Sequence, residues 1–251
     1  MIVADPPEIS VIIPVFNEEA NVAPLAAEVT TAMNDSGLPW DCWWVDDGST
    51  DQTWSCMQAL PTPHRSIRLP RNFGQSAAIM AGVHHSAGRW IGILDGDGQN
   101  DPRDLLRQHQ LATTNDAAVV VGYRSIRHDH LVRRVSSRVG NWTRRMIVGN
   151  AGRDAGCATK VVRREVMTSL PFFHGMQCFI PDLARAAGWR FDEIPVNHRP
   201  RLAGQAKYGI NNRLWSGFRD LLGVRWLIAR QRAWHTEKIA NQPTRSKDSA
   251  G

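Results

Sequence analysis

Asp95 and Asp97 lie in the stretch LDGDGQNDP, directly after the apolar run WIGIL. In an extended segment, residues two apart point the same way, so both carboxylates can face one cation, and Gln99 can add an oxygen. Gly96 and Gly98 let the backbone turn sharply between them. Two carboxylates suit Mg2+ or Mn2+, which keep coordination positions for water and phosphate oxygens. A solvated acidic turn has the same composition, and this stretch alone leaves both readings open. A calcium loop of the EF-hand type needs Gly at its sixth position and Glu at its twelfth; counted from Asp95 these are Asn100 and Leu106, which excludes it. Neither G-x-x-x-x-G-K-[ST] nor G-x-G-x-x-G occurs, so P-loop and dinucleotide readings lack support.

The elements that must carry these residues follow from hydrophobic patterning. Residues 9–16 (ISVIIPVF), 40–45 (WDCWWV), 66–69, 90–94 and 117–122 (AAVVVG) read as short, buried strands. Helices are expected over 17–34, from Ser49, over 76–86 and from Asp101. Ser49 and Gln52 have capping-box spacing, and Asp101-Pro102 reads as an N-cap followed by proline at the first helical position. The alternation predicts an α/β fold with a mostly parallel central sheet and helices on both faces. In such sheets ligands bind at the carboxyl ends of the strands. Polar and acidic groups fall at three of those ends: Asn17-Glu18, Asp46-Asp47 and Asp95-Asp97. One acidic turn is unremarkable, whereas this repetition marks the rim as functional.

The second half differs in charge. Residues 124–164 hold eleven Lys or Arg against two Asp. PFFHGMQCFIP reads as a loop or short helix, 189–196 as a strand, and 211–230 as a helix. From about residue 233 the chain is polar and is expected to be disordered. The 251 residues, 42% hydrophobic and 22% charged, describe a globular protein. A formal charge of +6 favours an anionic partner without choosing among them. Cys42, Cys56, Cys157 and Cys178 lie far apart, which argues against a zinc site or a disulfide framework. The N-terminus lacks a signal-peptide pattern, and no apolar run approaches the length of a membrane span.

SVIIPVFNEEANV, VDDGSTDQT and LDGDGQNDP, in this order, resemble the nucleotide-sugar-binding half of family 2 glycosyltransferases. VGYRS, RRVSSRVGN, DAGC and RPRLAGQAKYG narrow the likeness to the polyprenyl-phosphate sugar transferases, the dolichol-phosphate mannose synthase group and its undecaprenyl-phosphate relatives. The likeness covers roughly residues 8–230. It implies one GT-A domain over 1–232, with a nucleotide-sugar half at about 8–122, an acceptor half at about 123–210, an interfacial helix at about 211–230 and a tail at 233–251. It also implies Mg2+ or Mn2+ as cofactor and an inverting transfer from a UDP- or GDP-sugar to a lipid phosphate. Pro14, Asn17, Glu18, Asp46, Asp47 and Arg71 then belong to the nucleotide or donor pocket. Asp95, Asp97 and Gln99 belong to the metal and the donor diphosphate, and Arg201 and Lys207 close over the phosphates. Arg124, Arg134 and Arg138 hold the acceptor phosphate, with Asp97, Arg124 and Arg138 central to catalysis. Two departures stand out: Ala206 where the family commonly has Ser, and Gln177-Cys178 where relatives often carry His-Arg before Phe-Ile-Pro.

The chemistry is coherent without the family. A departing diphosphate gathers charge that a divalent cation and nearby Arg or Lys stabilise. A phosphate monoester is already anionic and needs positioning rather than a general base. Guanidinium binds phosphate oxygens bidentately, which suits the arginine-rich half. Arg127, Arg144, Arg145, Arg163 and Arg164 are expected on a solvated face instead. Asp154 can pair with one of the phosphate-site arginines, contact the donor sugar, or simply cap a turn. His84, His85, His174 and His198 sit in no ligand spacing and are expected to be structural or solvent-facing.

Leu214, Trp215, Phe218, Leu221 and Leu222 recur at helical spacing in a basic segment. Such a helix can lie on an anionic membrane surface, or pack on the protein's own core, or do both. The expected location is cytoplasmic, peripheral on the inner face of the cell membrane. Two other readings remain: a family 2 transferase acting on a glycan hydroxyl, and a basic nucleic-acid-binding protein. The first makes the arginine cluster surplus. The second lacks a recognised motif, so no nucleic-acid partner is expected. Arg225-Trp226 has no Gln three residues before the Arg, which sets aside the processive polysaccharide synthases.

Overall fold

A computed structural model describes residues 6–124, 144, 146–149, 152–154, 156–197, 199 and 211–230, with backbone alone for 211–218. Arg134, Arg138, Arg201, Ala206, Lys207 and the tail at 233–251 lie outside the described residues.

The chain alternates β1 (Ile9–Val15), α1 (Glu19–Ser36), β2 (Trp40–Asp46), α2 (Thr53–Gln58), β3 (His64–Arg68), α3 (Gln75–His85), β4 (Trp90–Ile93), α4 (Arg103–Asn115) and β5 (Val119–Arg124). Then come β6 (Lys160–Arg163), α5 (Arg164–Ser169), a 3-10 turn (Met176–Cys178), α6 (Ile180–Ala186), β7 (Phe191–Val196) and α7 (Asn211–Arg230). The seven strands form one sheet in the order β3-β2-β1-β4-β6-β5-β7. All neighbours are parallel except β6, which runs antiparallel to both β4 and β5.

Strand alternation explains why the sheet is buried on both sides. Ile9, Val11, Ile13 and Val15 of β1 face one core with Leu25 and Val29 of α1 and Leu105 of α4. Ile12 faces the other, with Ile79 and Val83 of α3 and Leu183 of α6. Each such side chain contributes about 1.5–3 kcal/mol by leaving water. The short β6 repeats the rule: Val161 enters one core and Val162 the other.

The fold bears out the α/β expectation, with three local corrections. First, β6 and α5 were not foreseen, since four residues (KVVR) are too few for a clear period. Second, Ser49 and Gln52 do not form a capping box: α2 begins at Thr53, and the Ser49 hydroxyl instead accepts the Asn17 amide at 2.9 Å. Third, α4 begins at Arg103, one residue later than Asp101-Pro102 suggested. Asp101 still does capping work, accepting the Arg103 amide at 3.0 Å.

The expectation of a solvated arginine face also fails where it can be seen. Arg144 is buried, paired with Asp182 and donating to the Cys178 carbonyl at 3.1 Å. Arg164 donates to the Gly88 and Val83 carbonyls and to the Ser86 hydroxyl at 2.7–2.8 Å. Arg163 is largely covered, pairing with Asp116 and stacking on Trp90. Guanidinium groups here tie α5 to the end of α3 and Arg144 to α6, because five donors can satisfy several acceptors left open at helix ends.

Candidate active site

The carboxyl ends of β1, β2 and β4 meet at one edge of the sheet. β1 is central and pairs with both others, so Val15 sits opposite Asp46, and Ile12 opposite Ile93. Asn17 turns with φ 51°, a left-handed conformation that Asn tolerates. Its side-chain oxygen accepts the Thr50 amide at 2.8 Å and so joins the first rim loop to the second. Glu18, nearly buried, accepts from the Asn21 side chain at 2.6 Å, and its amide donates to the Thr53 hydroxyl at 2.8 Å. Pro14 is buried within β1 and lines this edge beneath Gly96, where a side chain would collide with Val15 and approach the Pro14 carbonyl.

The Asp46-Asp47 pair faces inward. Asp46 is fully buried, accepts the Ser49 amide at 2.8 Å, and pairs with Arg68 at 3.2 Å. Asp47 accepts two backbone amides, Phe73 at 2.7 Å and Gly74 at 2.8 Å. Burial raises the Asp47 carboxyl, those two amides pull it down, and the Asp46 charge raises it again. Gly48, at φ 77°, lets the loop pass within 2.5 Å (from a would-be Cβ) of the Arg71 backbone. Both aspartates are therefore built into the end of β2 and the loop after it, and Arg71 is exposed, over the Phe73 ring.

The Asp95-Asp97 pair is arranged differently. Asp95 accepts the Gln75 side-chain amide at 2.7 Å, while Asp97 accepts the Gln99 backbone amide at 3.2 Å. Burial first, and the Asp97 charge second, push the Asp95 carboxyl up to about 6; Lys160, the Gln75 hydrogen bond and Arg124 oppose this. Lys160 and Arg124 offset the two crowded carboxylates only in part, since the Asp95 carboxyl is still raised, and a divalent cation would add positive charge there; the residues present fit such an ion. Among the described residues no three His, Cys, Asp or Glu side chains cluster as a metal site, so further positions would fall to water and ligand oxygens. Gln99 also donates its side-chain amide to the Arg199 carbonyl at 3.2 Å and accepts the Arg199 amide at 2.8 Å. These two hydrogen bonds tie the Arg199 backbone to the Asp97 turn.

Arg124 ends β5. Its guanidinium meets Asp154 through two contacts, 2.7 and 3.0 Å, and its backbone amide reaches the same carboxylate at 3.3 Å. Of the options open for Asp154, two are observed: it pairs with Arg124, and it caps a turn by accepting the Gly156 amide at 3.3 Å. Sequence reasoning missed Gln75 and Lys160. Lys160 lies opposite Ile93, two residues before Asp95, is buried, and donates to the Cys157 and Ala158 carbonyls. A lysine opening a run of valines was the available signal; Gln75 gave none, as it sits at a loop-helix junction. Arg199, also unassigned, pairs with Glu28 at 2.8 Å and Asp101 at 2.6 Å.

This fold, an open α/β sheet with acidic strand ends and one antiparallel insertion, is that of the GT-A glycosyltransferases. Glucosyl-3-phosphoglycerate synthase from Mycobacterium tuberculosis, solved with Mn2+ and uridine-diphosphate-glucose, superposes with a TM-score of 0.64 at 18% identity, covering 88% of this chain and 79% of that one. The family described as Glycosyl transferase family 2 matches residues 10–175, and the chain belongs to it. Dodecaprenyl-phosphate galacturonate synthase of Rhizobium johnstonii is 36% identical over 232 residues, 88% of this chain and 67% of that protein. Undecaprenyl-phosphate 4-deoxy-4-formamido-L-arabinose transferase of Salmonella typhimurium is 37% identical over 206 residues, 80% of this chain and 62% of that protein. The chain thus spans roughly two thirds of the length of these curated relatives.

Proposed function

We propose that this chain transfers a sugar from a nucleoside-diphosphate donor to a polyprenyl phosphate such as undecaprenyl or dolichyl phosphate, with inversion. The observation that carries the reading is the pairing of two sites on one edge. The Asp95-Asp97 carboxylates end β4, and Arg124, locked by Asp154, ends β5 close enough for its charge to act on Asp95. Similarity to two polyprenyl-phosphate transferases supports the acceptor class.

Asp95 and Asp97 would hold Mg2+ or Mn2+, with Gln99 beside them. The ion, when bound, neutralises the charge that builds on the departing diphosphate. The rim loops bearing Asn17, Glu18, Asp46, Asp47 and Arg71 form the nucleotide side. Arg124, with Arg134 and Arg138, orients the acceptor phosphate, whose oxygen attacks the anomeric carbon without a base because it is already anionic. Arg201 and Lys207 close over the donor phosphates.

The helix α7 supports membrane attachment. Val224 is buried, with Leu221 and Ile228 packed on the core, whereas Leu222 and Trp226 are exposed at 48% and 58%. Arg225 and Arg230 flank them, giving an apolar and basic outer stripe suited to an anionic leaflet. No helix among the described residues is long and apolar enough to cross a membrane. The exposed stripe of α7 supports a peripheral attachment, and the reading puts the protein on the inner face of the cell membrane.

The test is incubation with polyprenyl phosphate, Mg2+ or Mn2+ and a panel of labelled nucleotide sugars, followed by extraction. Label is expected in the organic phase, and none is expected with Arg138→Ala. Label reaching only a soluble glycan would instead point to a hydroxyl acceptor.

A further inference from the structure

We infer that Gln75 and Gln177 are positioning residues that hold Asp95 toward the donor's divalent cation through a one-way chain of hydrogen bonds. The inference rests on the metal reading of Asp95-Asp97 and assigns a part to Gln177, one of the two departures noted in the sequence.

The chain has four links. The Gly175 backbone amide donates to the Ser76 hydroxyl at 2.9 Å. The Ser76 hydroxyl donates to Gln177 Oε1. Gln177 Nε2 donates to Gln75 Oε1 at 3.2 Å, and Gln75 Nε2 donates to Asp95 Oδ1 at 2.7 Å. Every donor points toward Asp95. The direction is dictated by the carboxylate end. An ionised carboxylate only accepts, so Gln75 must present its amide nitrogen there. Its oxygen then faces Gln177, which must present nitrogen in turn. That leaves the Gln177 oxygen for the Ser76 proton, and the Ser76 lone pair for the Gly175 amide. Reversing any one link would set two acceptors or two donors face to face.

Aligned hydrogen bonds at a partly buried site polarise one another. Both glutamines have each end of the amide occupied by this chain, so neither turns without breaking a bond. One oxygen of Asp95 is thereby held by a donor that cannot turn away. The anchor is the 173–178 segment, 3-10 turn included, which also packs against Gly74 through His174. The relay needs a side chain that both donates and accepts at each position, which a glutamine amide does and an ionised carboxylate or ammonium does not.

The test uses the full chain, with Mn2+ alone followed by electron paramagnetic resonance, and glutamine side-chain amides followed by 15N-edited NMR. Gln75→Met keeps the length and removes the donor; it is expected to weaken Mn2+ about tenfold, the scale of one charge-assisted bond. Gln75→Glu should weaken it further by adding an acceptor against Asp95. Gln177→Met, one link removed, should weaken it about threefold, a weaker effect transmitted through polarisation. In an Asp95→Asn background, Gln177→Met should change nothing further. The Gln75 amide resonances should move on Gln177→Met and on Asp95→Asn. Unmoved Gln75 resonances, or Mn2+ affinity equal to wild type in Gln75→Met and Gln177→Met, overturn the inference. If the wild type binds no Mn2+ while the Gln75 resonances still respond, the metal reading falls and the positioning of Asp95 stands.

Discussion

β2 and β4 both run out into a pair of aspartates at the same edge of the sheet, and the two pairs do opposite things. Asp46 and Asp47 turn back on their own chain: the described donors to them are the Ser49, Phe73 and Gly74 amides, with Arg68 alongside. Asp95 and Asp97 are one residue further apart, with Gly96 between them, and burial first, then the Asp97 charge, lifts the Asp95 carboxyl to about 6. Adjacent carboxylates point to opposite sides and find separate backbone partners; carboxylates two apart point together. The difference teaches that clustered acid can serve structure: two backbone amides fix Asp47, whereas the Asp95-Asp97 pair is the one proposed to hold a cation.

The largest expected contrast is in activity. Asp97→Ala should reduce transfer by about a thousandfold, the scale of losing a preorganised electrostatic contact, with the unfolding midpoint near wild type. Asp47→Ala should act first on stability, costing about 2–4 kcal/mol by leaving the Phe73 and Gly74 amides unpaired, and should reduce transfer by less than Asp97→Ala does. Urea unfolding beside the extraction assay reads both, and a stable but inactive Asp47→Ala would erase the distinction. Next in size, Arg124→Ala should slow transfer about a hundredfold, whereas Asp154→Asn, which keeps the arginine and loosens it, should cost about tenfold. Equal effects would mean that Asp154 itself meets substrate.

A third contrast lies in pH. The folded Asp95 carboxyl titrates near 6, above its ordinary value of 3.8. Its protonated form is favoured by folding, so the contribution is fully present below pH 3.8 and is lost as pH rises through 6. In chelator, stability should fall across that window by at most about 3 kcal/mol, and Asp95→Asn should flatten the slope. Denaturant midpoints at pH 4.5 and 7 decide it. The smallest effect concerns the two faces of α7. Trp226→Ala should weaken binding to anionic vesicles a few fold, on the order of 1 kcal/mol, without changing the unfolding midpoint. Val224→Ala should cost about 1–2 kcal/mol of stability and leave vesicle binding alone. Vesicle sedimentation distinguishes them.

Local patterning carried the elements whose residues decide their own state. The buried runs at 9–16, 40–45, 90–94 and 117–122 predict strands because β-branched and aromatic residues on both faces allow little else. The three rim clusters were visible as residues too, since a strand end in such a fold is where ligands gather. What local pattern could not carry was partnership between distant segments. β6 is four residues long and is a strand because β4 and β5 leave a gap that it fills. Arg144 and Arg164 read as solvated because charge patterning knows nothing of the carbonyls and carboxylate that await them. Gln177 reads as a departure from a family pattern, yet it reaches Gln75, 102 positions away in the chain. Periodicity is a local property and was legible in the order of residues; hydrogen-bond satisfaction is a property of enclosed space, and it exists only once the sheet has closed its neighbours around it.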